Sequence, residues 1–410
     1  MANHSENFKN ALISMGCHGK RPTTEESLLQ DNYVGYPKKV AHVGETLPTT
    51  LPSAGVSYYE QRLVERLAYS HVAKANYAKY LSWMSFNDPT SKIDFTPVAG
   101  VICPSSRCNF KCTMCAISDF EDGKRCEDMS LELFQQRLND LSGLVRISLT
   151  GLSELFLLHK TLEPMLRLCL ERKIWTNIAT NGSLLHQRNW LDRLVDINLD
   201  EIVVSIDGVT KETFESIRIK SNFERVRENA RNLNERFDRA GVSPHRTKMH
   251  TVLQSKNLHE LFDFIPFASK LGFRTISLGT EAFDWGSSSW RDKNSQDARI
   301  ISYEDMWKLV DQGKQLGVTV GFTEITQRYT AEPKISSLCS WPYSKIFISS
   351  DDRVVPCCHI SNPDYFEIGN GLSDRISATD AWFGKEYQDF RDFHTNGNIP
   401  DACSSCYKSK

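Results

Sequence analysis

The sequence predicts an α/β protein whose central part is a partial (β/α)6 barrel, similar to an incomplete TIM barrel. Six short apolar segments alternate with helical segments from residue 98 onward, an order typical of parallel strands joined by right-handed crossovers. Polar motifs follow several of these segments, and chemistry in such barrels takes place at the carboxyl ends of the strands. A doubly wound open sheet is also compatible with the pattern.

The chain has 410 residues, too many for one small core. We expect an arm and a helical extension over 1–95, the barrel over 96–325 and a cysteine-containing module over 326–410. Strands are expected at 98–103, 145–150, 175–180, 201–206, 248–253 and 274–278. Helices are expected at 57–84, 130–142, 163–172, 184–195, 211–240 with a break near Ser221, 257–271 and 303–316.

Composition and charge exclude several classes of protein. Apolar residues make up 40% of the chain and charged residues 24%, which suits a soluble globular enzyme. The net charge of −2 argues against a nucleic-acid-binding surface. No apolar run is long enough to span a bilayer, and the N-terminus has no signal-peptide pattern. We therefore expect a cytoplasmic protein that binds neither nucleic acid nor membrane.

Three cysteines lie in one short loop after the first predicted strand. Cys108, Cys112 and Cys115 have the spacing C-x3-C-x2-C. Thiolates are the usual protein ligands of iron–sulfur clusters, and three of them leave one iron of a cubane open for chemistry. A structural zinc loop with Cys103 as the fourth ligand is the alternative.

This loop resembles the signature of the radical S-adenosylmethionine (SAM) superfamily, in which three such cysteines hold a [4Fe–4S] cluster. Met114 stands where that family usually has an aromatic residue. The resemblance implies that SAM binds the open iron through its amino and carboxylate groups. One electron then cleaves SAM to a 5′-deoxyadenosyl radical, which abstracts a hydrogen atom from the substrate.

The ends of later strands match further motifs of the same superfamily. The Gly151–Leu155 turn resembles its glycine-rich turn, where Glu154 is expected to meet the SAM amino group. For Asp207, which the resemblance places at SAM, a role as a helix N-cap or turn residue is the alternative. The residues that the resemblance places at SAM are Met114, Glu154, Thr180, Asn181, Ser205, Asp207 and Arg218.

Five more cysteines lie close to the C-terminus, in the pattern C-x17-C-C-x44-C-x2-C. The region resembles the SPASM/twitch domains that carry auxiliary clusters in radical SAM enzymes. We expect one auxiliary [4Fe–4S] cluster, with Cys358 as a spare thiol. The ligands of this auxiliary cluster would be Cys339, Cys357, Cys403 and Cys406. A zinc ribbon built from the same four thiolates is the alternative.

Together the motifs predict a radical SAM enzyme with two clusters and a flavodoxin- or ferredoxin-type reductant. Peptide-modifying relatives often carry an N-terminal recognition domain with a small sheet, and residues 1–95 lack strand patterns. We therefore expect a small polar substrate of the sugar, aminocyclitol or nucleoside type. Modification of a ribosomal peptide is the alternative reaction. A non-catalytic iron–sulfur or zinc-binding scaffold is the alternative of another class.

Overall fold

The computed structural model describes residues 62–408, apart from 64, 91, 296–300, 324–328 and 374. The expected N-terminal arm and the first residues of the helix expected over 57–84 lie outside the described residues. Within the described ranges, no helix is both long enough and apolar enough to cross a membrane.

The described strands form one sheet of nine strands and one two-stranded ribbon, β2 with β6. The large sheet has the order β11–β10–β1–β3–β4–β5–β7–β8–β9, and all neighbouring pairs are parallel except β10 with β11. The strands are β1 (Ala99–Ile102), β2 (Lys111–Cys112), β3 (Arg146–Leu149), β4 (Trp175–Thr180), β5 (Glu201–Ser205), β6 (Arg218–Ile219), β7 (Thr247–Val252), β8 (Thr275–Gly279), β9 (Thr319–Thr323), β10 (Lys345–Ile348) and β11 (Val354–Val355).

All six predicted strands are present, as β1, β3, β4, β5, β7 and β8. Each new strand of this series adds to the same side of the previous one, so the order never reverses. A doubly wound sheet has such a reversal. The sheet is therefore wound in one direction only, as in a partial barrel. Two further parallel strands extend it beyond the prediction: β9 beside β8, and β10 beside β1.

The described α-helices follow the predicted order. They are α1 (His71–Phe86), α2 (Leu131–Asp140), α3 (Leu162–Glu171), α4 (Trp190–Ile197), α5 (Lys211–Ile217), α6 (Phe223–Arg239), α7 (Phe264–Lys270), α8 (Ser288–Asn294), α9 (Tyr303–Leu316), α10 (Trp341–Ser344), α11 (Ala378–Phe383) and α12 (Lys385–Thr395). The predicted break near Ser221 separates α5 from α6. The helix expected over 303–316 is confirmed as α9.

Three predicted helices differ from the expected bounds, each for a local reason. The helix expected over 57–84 is divided in two: residues 62, 63 and 65–68 are helical, the chain turns at Tyr69, and α1 begins at His71, where Ser70 is extended and accepts a capping hydrogen bond from the Ala73 N–H. The helix expected over 184–195 begins at Trp190, because Arg188 and Asn189 have positive φ angles. The segment over 257–271 starts as a 3-10 helix and becomes α7 at Phe264. Pro266 has no backbone N–H to donate to the carbonyl four residues earlier, so the α-helix does not extend further toward the N-terminus.

The two faces of the sheet differ in burial. Ile147, Ile178 and Val204 belong to the main core, in which Phe134, Leu166 and Leu233 of the helices also take part. The residues between them in β3, β4 and β5 are mostly half-buried. Because successive strand residues point to opposite faces, this pattern leaves one face of the sheet less covered.

The C-terminal module is tied both to the sheet and to α1. Its hairpin adds β10 to β1, and Arg125 and Arg137 each make a two-point contact with the turn, at Asp351 and Asp352. Trp83 of α1 stacks on Tyr343 of the module with ring centroids 5.4 Å apart. The helical extension therefore packs directly against the module.

Candidate active site

The first cysteine loop is held at the carboxyl end of β1 by backbone pairing. β2 pairs antiparallel with β6, which places Cys112 opposite Arg218. The Thr113 N–H donates to the Ile217 carbonyl at 2.9 Å, and the Cys108 N–H donates to the Gly123 carbonyl at 2.9 Å. The loop is thus anchored on both sides of its three thiols.

The three thiols form one electrostatic group, in which Cys112 is buried and Cys108 and Cys115 are half-buried. Burial raises the pKa of Cys108 to about 12, and the nearby Glu154 carboxylate adds to the rise. Burial also raises the pKa of Cys112 and of Cys115, while the Arg218 guanidinium opposes the rise at all three thiols. Without a metal the thiols are therefore protonated, and cluster binding has to release their protons.

This donor set fits a cubane bound by three cysteines. The thiols are buried or half-buried, and the buried Arg218 guanidinium lies close enough to offset the negative charge of a thiolate-bound cluster. Within the described part of the chain, no three Cys, His, Asp or Glu side chains converge on a single metal ion. A cubane takes its thiolates on different irons, so its cysteines need not meet at one point.

Cys103, the fourth ligand of the zinc alternative, lies in different surroundings. Its Sγ contacts the Ser105 carbonyl oxygen at 2.9 Å, and the residue packs with Val101 and Phe347 in a small apolar cluster. The three loop thiols interact electrostatically with one another and not with Cys103.

Glu154 joins the ends of β3 and β4. The carboxylate is fully buried and accepts hydrogen bonds from Thr180 Oγ1 at 2.8 Å, Asn181 N at 2.6 Å and Phe156 N at 3.2 Å. Burial raises the pKa of Glu154, and these three donors oppose the rise. Asn181 Nδ2 in turn lies 3.8 Å from Cys108 Sγ and donates to Asn109 Oδ1 at 2.9 Å. The structure therefore brings Glu154, Thr180 and Asn181 together beside the cysteine loop.

Asp207 and Arg218 form a buried ion pair in the same region. Arg218 Nε and Nη2 both lie 2.7 Å from Asp207 Oδ2, and Asp207 Oδ1 accepts from Val252 N at 2.8 Å. Asp207 is not a helix N-cap, because Thr210 caps α5. Ser205 lies half-buried at the end of β5, opposite His250 of β7.

Two contacts near the loop had no clear sign in the sequence. Trp285, in the loop after β8, donates from Nε1 to the Met114 carbonyl oxygen at 2.8 Å. The Met114 side chain itself is buried in the main core. Asn109 donates from Nδ2 to Ser183 Oγ at 3.0 Å, which ties the loop to the turn after β4. A tryptophan in a long loop and an asparagine between cysteines carry no distinctive spacing, so only the folded chain shows these roles.

The second cysteine group surrounds a cavity in the C-terminal module. The space between its walls that is free of protein atoms is about 390 Å³, part of which is open to solvent. Burial raises the pKa of Cys357 and of Cys403, and neighbouring thiols add to the rise at both. The cysteines that line the cavity are Cys339, Cys357, Cys403 and Cys406. Cys358 instead packs in an apolar cluster with Val101, Val355 and Phe347. The predicted ligands therefore share one cavity, and the predicted spare thiol does not line it.

Two family models match the chain at these two sites. Residues 102–268 match the model of the radical SAM superfamily, and residues 339–407 match that of an iron–sulfur cluster-binding domain, SPASM. Together the two matches take in more than half of the chain.

The chain belongs to the radical SAM superfamily.

The cofactors of this radical SAM protein are [4Fe–4S] clusters and SAM, which favours iron over zinc at both cysteine groups. The assignment of individual residues to these cofactors remains a prediction.

Curated relatives include both peptide and nucleotide cyclases. The PqqA peptide cyclase of Granulibacter bethesdensis is 23% identical over 256 residues, which are 61% of this chain and 64% of that protein. The GTP 3′,8-cyclase of Chlorobaculum tepidum is 26% identical over 274 residues, 63% of this chain and 77% of that protein. The chain therefore spans less than two thirds of the length of the first of these relatives.

A solved structure shares the fold of this radical SAM protein. Streptococcus suis SuiB bound to its precursor peptide SuiA superimposes with a TM-score of 0.56 at 15% identity. The superposition covers 95% of this chain and 80% of SuiB.

Replacing Glu154 with glutamine is expected to weaken SAM binding while leaving the iron content unchanged. The amide cannot accept all three hydrogen bonds, so the turn that holds Asn181 beside Cys108 loosens. Hydrogen bonds to a charged group contribute about 1.5–3 kcal/mol each, so we expect a rise of about 10- to 100-fold in the SAM dissociation constant. Anaerobic calorimetry measures it. Glu132→Gln, at an exposed position of α2, is the control, and equal affinities in the two variants would contradict the expected role.

The adjacent cysteines of the C-terminal module provide a matched pair of variants. Cys357→Ala is expected to lose about four irons per chain, because it removes one thiolate of a four-cysteine cubane. Cys358→Ala is expected to keep the full iron content. Iron and sulfide counts after anaerobic reconstitution measure both. If Cys358→Ala loses four irons and Cys357→Ala keeps them, Cys358 is the ligand.

Proposed function

We propose that the chain is a radical SAM enzyme that modifies a peptide substrate. With its cofactors bound, the chemistry supplied is one-electron cleavage of SAM and abstraction of a hydrogen atom from the substrate. The observation that carries this proposal is the contact of the Glu154–Thr180–Asn181 group with the Cys108 loop at the ends of neighbouring strands.

Each group of side chains has a definable task in this proposal. Cys108, Cys112 and Cys115 would hold the first cluster, and Arg218 would offset its negative charge. Asp207 fixes the Arg218 guanidinium through the 2.7 Å contact, so the cation cannot turn away. Glu154 keeps the turn after β4 in place beside the loop.

A row of mutually paired polar side chains crosses the less covered face of the sheet, and two of them, Glu201 and Lys248, are buried. Ser148 donates to Asn177, Asn177 Nδ2 donates to Glu201 Oε1 at 3.3 Å, and Lys248 Nζ pairs with Glu201 Oε2 at 2.5 Å. This row crosses four neighbouring strands, β3, β4, β5 and β7.

The relatives support a peptide over the small metabolite that we expected. PqqA peptide cyclase acts on a peptide, and the SuiB structure that resembles this chain contains a precursor peptide. The expectation of a small substrate rested on the absence of strand patterns in residues 1–95, and residues 1–61 lie outside the described structure. A nucleotide substrate is the second candidate, because GTP 3′,8-cyclase is also similar. We also propose a flavodoxin- or ferredoxin-type protein as the source of the electron.

Anaerobic reconstitution followed by a SAM-cleavage assay tests the proposal. We expect about eight irons per chain, four for each cubane, and formation of 5′-deoxyadenosine with dithionite. Deuterated candidate peptides, encoded near the gene for this chain, should transfer deuterium to 5′-deoxyadenosine. Transfer from deuterated GTP instead would favour the second candidate. Bound zinc without SAM cleavage would contradict both.

A further inference from the structure

His394 in α12 lines the cavity of the second cysteine group and is not used by the proposed ligand set. The residue is 1% exposed. Its Nδ1 lies 2.7 Å from the Tyr407 hydroxyl oxygen. Its Nε2 is buried and has no hydrogen-bond partner among the described protein atoms. A buried polar atom without a partner is rare and needs an explanation.

The hydrogen bonds around Tyr407 determine which ring nitrogen carries the proton. The Cys339 backbone N–H donates to the Tyr407 hydroxyl oxygen at 3.1 Å. The tyrosine proton is then left to donate to His394 Nδ1. Burial lowers the pKa of His394 to about 4, so the ring is neutral at pH 7. A neutral imidazole that accepts at Nδ1 carries its proton at Nε2.

The ring is fixed on its other sides. Phe390 packs edge-on against it, with centroids 4.9 Å apart and planes at 81°. The Tyr407 ring lies 5.6 Å away. The unpaired Nε2–H therefore belongs to a rigid side chain in the wall of the cavity that the four cysteines also line.

We propose that His394 Nε2–H donates a hydrogen bond to a sulfur of the auxiliary cluster and thereby raises the reduction potential of that cluster. This inference rests on the proposed ligand set of Cys339, Cys357, Cys403 and Cys406. Hydrogen bonds to cluster sulfurs withdraw negative charge and stabilise the reduced, more anionic state. His394 is thus a positioning and tuning residue for the auxiliary cluster.

The test is an EPR-monitored redox titration of the full-length chain that carries Cys108→Ala, Cys112→Ala and Cys115→Ala. In this background only the auxiliary cluster titrates. His394→Leu removes the donor and should shift the midpoint potential to more negative values. His394→Gln places an amide N–H near the position of Nε2 and should keep the potential close to that of the parent.

Each outcome decides the question. A negative shift in His394→Leu alone, or loss of the cluster in His394→Leu alone, supports the inference. Unchanged potentials, equal shifts in both variants, or loss of the cluster from both variants would overturn it. The measurement does not depend on SAM cleavage, so failure of the unsubstituted chain to cleave SAM is a separate result that bears on the proposed function.

Discussion

Cys112→Ala is expected to lose about four of eight irons per chain and to form no detectable 5′-deoxyadenosine. Cys112 lies in the centre of the loop, in the short strand β2 opposite Arg218, so no other described thiol can take its place without breaking that pairing. When SAM binds one iron of a cubane, each of the other three irons needs a protein thiolate. Iron counts and the dithionite assay measure the two effects.

The control for this variant is Cys103→Ala. Cys103 is buried and close in sequence, but its thiol contacts the Ser105 carbonyl oxygen rather than the loop thiols. It should retain both the iron and SAM cleavage. Loss of four irons from Cys103→Ala, or full iron in Cys112→Ala, would contradict the assignment of the first cluster to the three-cysteine loop.

Arg218→Met is expected to lower the free energy of unfolding by about 3–5 kcal/mol, because it leaves the fully buried Asp207 carboxylate without its cation. Asp207→Asn should cost less, because the neutral amide can still accept from Val252 N–H. Urea unfolding of the cluster-free protein measures both changes.

The double variant distinguishes the ion pair from simple loss of packing. Arg218→Met combined with Asp207→Asn removes both charges, so it should be more stable than Arg218→Met alone. If the two single losses simply add, the buried pair makes no coupled contribution and the reason given for the large effect of Arg218→Met is wrong.

Much of the barrel could be predicted because its signals are local. Six apolar segments, each bounded by turns, identified the six strands, and helical periodicity identified α2, α3, α6 and α9 within a few residues. The starts of α1 and α4 could not be predicted, since they depend on the backbone conformations of Ser70, Arg188 and Asn189. Strand β10 was not among the six strands predicted for the barrel, because its pairing with β1 joins segments more than two hundred residues apart.

Part of the candidate site could likewise be predicted from the sequence. The motifs at the ends of β3 and β4 indicated Glu154, Thr180 and Asn181, and the structure joins all three. The partner of Asp207 was not predicted, although Arg218 was named as a separate SAM contact. His394 gave no sign at all, because a single histidine in a polar helix has no characteristic spacing.

The sequence by itself determined the family, the two cysteine groups and the order of strands and helices, since spacing and periodicity are properties of a contiguous stretch of chain. The resemblance indicated Cys357 as a ligand and Cys358 as a spare thiol, but only the tertiary structure shows that Cys357 lines the cavity while Cys358 packs in an apolar cluster. Cys357 has an extended backbone, in which successive side chains point in opposite directions. Which direction faces the cavity depends on how the whole module packs, and no local pattern encodes that.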